Sequence, residues 1–139
     1  MSVNPPPPSA TVLYDGGCGF CRWSLAKLLG WDRRGRLRPV AIQSDEGSRL
    51  LAGLGEEERM ASWHLVSGGR RCSAGAALGP LLRLLPGGRP LARLAEALPG
   101  PTARAYRLVA GHRSALGRPI SAAARRRADE RISRRTAAP

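Results

Sequence analysis

"TVLYDGGCGFCRWSLAKLLG", residues 11–30, decides the fold. Thr11 to Tyr14 are β-branched, apolar or aromatic and read as a short buried strand. Asp15, Gly16 and Gly17 then allow the backbone conformations of a tight turn. A helix is expected from about Cys18, because Cys21, Leu25, Leu28 and Leu29 fall on one face of a 3.6-residue period. Gly30 is its expected stop, and Trp31-Asp32 its end. Two cysteines three residues apart therefore sit where a strand turns into a helix. A redox couple, half of a metal site and two buried small hydrophobes all share that spacing.

Position separates the two thiols. Cys18 falls at a helix N-terminus, where unpaired N–H groups and the helix dipole favour the thiolate, the nucleophilic form. Cys18 is accordingly the expected attacker. Cys21 lies one turn on, beside Leu25 and Leu28, and suits the resolving thiol. Residues three apart on a helix have Cβ atoms roughly 5–6 Å apart, whereas a relaxed disulfide wants about 3.5–4.5 Å. A bond between them forms only if the turn tightens, and a strained, accessible disulfide exchanges readily. Gly19 keeps the approach open, Phe20 offers an apolar contact and Arg22 adds positive charge, so these three form the expected substrate-binding set. Asp15, three residues before Cys18, has two readings: a proton shuttle during exchange, or an Asx-type turn that orders the loop.

Working outward, "LRPVAI" (37–42) reads as a strand that Pro39 confines to a sheet edge. Asp45 is the expected cap of a short helix carrying Leu50, Leu51 and Leu54, and "EEER" (56–59) reads as solvated. "SWHLVS" (62–67) alternates as a strand does, and Gly68-Gly69 is a hairpin signal into "RRCS". Ala74 to Leu85 repeat at helical spacing around an awkward Pro80, which either kinks the helix or marks its start. Leu91, Leu94, Ala95 and Leu98 suggest a further short helix. A last helix is expected over 102–116, with Ala105, Leu108, Val109, His112 and Leu116 on one face. The expected domains are a Pro-rich arm (1–10), a domain with a helical extension (11–117) and a basic, disordered or frayed tail (118–139). The order β-α-β-α-β-β-α, with the cysteine pair at the first strand-to-helix junction, is that of a thioredoxin-like α/β domain: a four-stranded mixed sheet flanked by helices, with extra C-terminal helices.

Composition bounds the function. The 139 residues and 42% hydrophobic content suit one modest core. The net charge is +13, and of 23 basic residues only Lys27 is lysine. A G- and C-rich coding sequence explains that arginine bias more readily than phosphate binding does. MSVNPPPPSA lacks the charged and apolar regions of a secretory signal, and no apolar run approaches the roughly 20 residues that span a bilayer. A cytoplasmic protein is the expectation, and there a C-x-x-C pair is more often catalytic or metal-binding than a permanent disulfide.

"VLYDGGCGFC" (12–21) resembles the signature of the DCC family of predicted thiol-disulfide oxidoreductases, named for Asp-x-x-Cys-x-x-Cys. Asp15, Cys18 and Cys21 fill the three named positions. The resemblance continues through "LLGWDRRGRLRPVAIQS" (28–44), "SAGAALGPLLRLL" (73–85) and "YRLVAGHRSALG" (106–117), covering about residues 11–118. It implies a thioredoxin-like fold and redox-active cysteines and names no substrate. The expected chemistry uses no cofactor, acts on a protein or small-molecule thiol or disulfide and is renewed by some reductant. One departure stands out: thioredoxins at large place a cis-proline just before the third strand, whereas this chain reads "ERMASW" (58–63).

Two other readings compete. A zinc site needs about four Cys or His ligands, and only Cys72, His64 and His112 are left to complete one; a cluster bridging two subunits is the variant of that idea. Cys72 and His112 read more simply as a small hydrophobe and a helix-face residue, as do Tyr106 and Trp23 as packing residues. Residues 113–139 hold eight arginines against Asp129 and Glu130, which allows weak, salt-sensitive nucleic-acid contact but has no aromatic for base stacking.

Overall fold

The computed structural model describes residues 10–137. The expected arm over 1–10 lies outside them except for Ala10, which opens the first strand. Strands β1 (Ala10–Tyr14), β2 (Leu37–Ala41), β3 (His64–Ser67) and β4 (Arg70–Ser73) form one sheet in the order β2-β1-β3-β4. β1 runs parallel to β2, with Val12 opposite Pro39, and antiparallel to β3, with Leu13 opposite His64. Pro39 thus lies on an edge strand, as its missing N–H requires. β3 and β4 form a hairpin through Gly68 and Gly69, whose φ of +58° and +80° only glycine adopts easily. This is the thioredoxin-like α/β arrangement.

Successive residues of the central strand feed two cores, because side chains alternate across a sheet. Val12 joins Leu25, Leu29, Leu37, Leu65, Leu81 and Leu85 on one face. Leu13 joins Val40, Ile42 and Leu51 on the other. The first core is covered by α1 (Gly19–Trp31) and α4 (Leu78–Leu84). Helix α2 (Asp45–Leu50) covers the second, with Met60 of α3 (Glu56–Ala61) packed against it. Ser44, not Asp45, caps α2: its hydroxyl oxygen accepts the Gly47 N–H at 3.0 Å. α1 runs through Gly30 and ends at Asp32, whose N–H still reaches the Leu28 carbonyl. Pro80 starts a helix rather than kinking one, since it falls in the first turn of α4, behind a short 3-10 turn over Ala74–Ala77.

The C-terminal third departs most from expectation. The helix expected over 102–116 is two helices, α6 (Pro99–Gly111) and α7 (Arg113–Gly117), divided at His112. The leucines of α5 (Arg89–Ala97) and α6 face outward: Leu94 is 57% exposed and Leu108 65%, while Ala92 is the buried residue of α5. The expected disordered tail is helix α8 (Ala122–Ala137), packed along α1 and β2. Ala128 and Ile132 are buried, with Ile132 in the first core. Arg135 fixes the far end. It pairs with the fully buried Asp32 carboxylate at 2.6 Å and donates to the Leu29, Asp32 and Leu37 carbonyls. Two buried side chains and one forked arginine thus order a helix too polar to be read as one.

Candidate redox site

The site is built by the turn between β1 and α1. The Asp15 carboxylate accepts the Gly17 N–H at 2.9 Å and the Gln43 side-chain amide at 2.7 Å, while its backbone carbonyl accepts the Cys18 N–H at 3.2 Å. Gln43 also accepts the Gly16 N–H, so the loop after β2 clamps the turn. The Asx-turn reading of Asp15 therefore describes its local contacts. Its second oxygen faces Arg113 at 3.8 Å, which places the same carboxylate beside the cysteines.

Cys18 is the N-cap of α1, and its Sγ accepts the Cys21 N–H at 3.3 Å. A sulfur in a capping position satisfies one of the unpaired donors of a helix start, an interaction that strengthens with negative charge. Cys21 is set one turn deeper. Burial, and then the hydrogen bond and charge of Cys18, push its thiol up to about 12, although the Arg113 guanidinium opposes the rise. The two sulfurs are chemically unlike, and all three cysteines are free.

Arg113, the first residue of α7, ties the site together. Its guanidinium donates toward Cys21 Sγ at 4.0 Å, faces Asp15 and donates to the Met60 carbonyl at 3.4 Å. Tyr106, on α6, accepts the Trp63 N–H on its hydroxyl at 3.1 Å, and burial raises its pKa. Where the thioredoxin pattern would place a proline, Ser62 and Trp63 line the apolar cavity beside Cys21. Tyr106 and Ala110 lie four apart on α6, and the break at His112 brings Arg113 to the same cavity, a grouping that the leucine pattern obscured.

The remaining expected residues divide. Gly19 and Phe20 line the cleft at Cys18, and Phe20 stacks on Trp23 with ring centroids 6.1 Å apart. Arg22 lines neither cavity and instead pairs with Asp129 of α8 at 3.6 Å. Cys72 packs against the first core opposite Leu65. His64 is buried, with Nδ1 against the Ser73 hydroxyl at 2.6 Å and Nε2 against the Arg59 carbonyl at 3.0 Å. His112 is exposed, with Nδ1 2.7 Å from the Leu108 carbonyl. Among the described residues, no three His, Cys, Asp or Glu side chains gather as a metal site requires.

A family model of DCC1-like thiol-disulfide oxidoreductases matches residues 12–119, well over half of the chain. The chain belongs to that family. No curated protein and no solved structure matches it. The family match spans the Cys18–Cys21 turn, Tyr106 and Arg113, and ends before α8. In this DCC1-like chain α8 is thus an addition to the matched region, and it reaches the site: Arg125 lies against Gly19, with its Cζ 3.6 Å from where a Cβ would stand. No helix among the described residues is long and apolar enough to cross a membrane.

Proposed function

We propose that the protein exchanges thiols and disulfides through Cys18 and Cys21, in a reducing cytoplasm. The observation that carries the proposal is the asymmetry of the pair: one sulfur capping a helix at an open cleft, the other half-buried one turn on, with its thiol pushed up to about 12. The Cys18 thiolate attacks one sulfur of a substrate disulfide. The substrate S–S bond breaks, and its departing half leaves as a thiolate that takes a proton from water. Mixed-disulfide formation removes the charge on Cys18, one of the causes that hold Cys21 protonated. Cys21 then loses its proton to Asp15, to which Arg113 links it, and attacks the Cys18 sulfur. The second half of the substrate leaves and takes up a proton. Two electrons have passed from the dithiol to the substrate; run backward, the same steps oxidise a substrate dithiol. Gly19 and Phe20 form the approach, and Arg113 is a positioning residue for Asp15 and Cys21.

The test is a titration in glutathione redox buffers, with the state of both cysteines read by alkylation and mass spectrometry. A reversible two-electron transition is expected. A pair that never bonds across the range overturns the proposal. Cys21→Ser is expected to accumulate mixed disulfides on Cys18, and Cys18→Ser to accumulate none on Cys21.

A further inference from the structure

Two cavities meet at the cysteine pair, and their chemistry differs. The one behind Cys21 is apolar, lined by residues such as Leu25, Trp63 and Leu81. The one at Cys18 has a volume of about 330 Å³, and its walls include Arg113, Arg118 and Arg125 with Asp15 as their acid. Asp15 is already engaged, by the Gly17 N–H, Gln43 and Arg113. Arg125 spends one N–H on the Gly117 carbonyl at 2.8 Å and lies over Gly19. The Arg118 side chain makes no hydrogen bond or ion pair among the described residues. Three guanidinium groups therefore line the cleft that holds Cys18, against one committed carboxylate.

Resting on the exchange chemistry proposed for Cys18, we infer that the substrate is a small disulfide carrying carboxylates near its sulfurs, held by Arg118 and Arg125. Guanidinium forks bind carboxylates in a fixed geometry, and a cleft of one sign raises the local concentration of the opposite charge. The cleft volume falls in the range of small-ligand sites. The Trp63 N–H beside the pair is already given to Tyr106, which withdraws one backbone donor an extended peptide would need. The small acidic disulfide is thus favoured over a protein strand. Arg118 lies at the far end of the family match and Arg125 beyond it.

The experiment uses the full reduced chain in single turnover, so no recycling reductant is needed. Three disulfides of similar size are compared: dithiodipropionate, a dianion; hydroxyethyl disulfide, neutral; and cystamine, a dication. Each rate is divided by the rate of the same disulfide with dithiothreitol at the same pH, which removes intrinsic reactivity. The expected result is that the dianion exceeds the dication by about tenfold, a margin two screened ion pairs supply. The margin narrows with added salt. Arg118→Gln, which removes a side chain with no partner, and Arg125→Gln each narrow it further, whereas Arg126→Gln on the exposed side of α8 does not. Equal corrected rates, or a preference for cystamine, overturn the inference while leaving Cys18 exchange in place. No reaction with any of the three removes the redox reading itself, and the inference with it.

Discussion

Helices α5 and α6 carry the leucines a core would want and leave them in water; α8 carries eight charged residues and is held against the fold. Leu94 and Leu108 are more than half exposed, whereas Ile132 of α8 sits in the main core beside Leu25 and Leu29. The difference teaches that a helix is held by where its few contacts fall rather than by how many apolar residues it has. Ala128 and Ile132 are four apart on α8 and buried, and Arg131 and Arg135 donate to the α1 carbonyls of Ala26 and Leu29.

The hold on α8 is strongest at Arg135. Arg135→Met leaves the Asp32 carboxylate buried without its ion pair, and a loss of about 3 kcal/mol in urea unfolding is expected. Ile132→Ala should cost about 2 kcal/mol or somewhat more, as a buried branched side chain is replaced by a cavity. If both variants unfold at the wild-type midpoint, α8 contributes nothing and the contrast is void.

His64 sharpens the same contrast between satisfied polar groups inside and apolar groups outside. Its burial lowers its pKa below the ordinary 6.5, so the folded state binds a proton less readily than the unfolded chain. The stability it contributes is present above pH 6.5 and is lost as pH falls below that value. Urea midpoints from pH 7.5 to 5 should therefore decline, and the decline should be shallower in His64→Gln. The smallest effect belongs to the outward leucines: Leu94→Ser and Leu108→Ser should stay within about 0.5 kcal/mol of wild type. A larger loss at either site would mean those leucines are covered.

The sheet and the cysteine turn were legible because their signals are local. An alternating or β-branched run, a glycine pair and a C-x-x-C at a helix start each say what they are within ten residues, and Pro39 alone identified its strand as an edge. The cleft was only half legible. Cys18, Gly19 and Phe20 stand in the signature itself, but Arg113 depends on the break at His112, which the longer leucine pattern across 102–116 concealed. Arg22 looked placed for the cysteines by spacing, yet Asp129 draws it to the other side of α1. Nothing in "RRRADERISRRTAAP" announces packing, because arginine-to-carbonyl bonds leave no periodic trace in a sequence.

Helix α8 also sets an order of events in synthesis. Arg135 meets Asp32 across 103 residues of chain, and the whole length of α8 lies along α1, from Gly19 beside Arg125 to Asp32 beside Arg135. Closing so long a loop comes late in folding, since distant contacts require the ordering of what lies between them. The helix that carries the cysteines is made before α8, and one of its faces waits for α8 before it is covered.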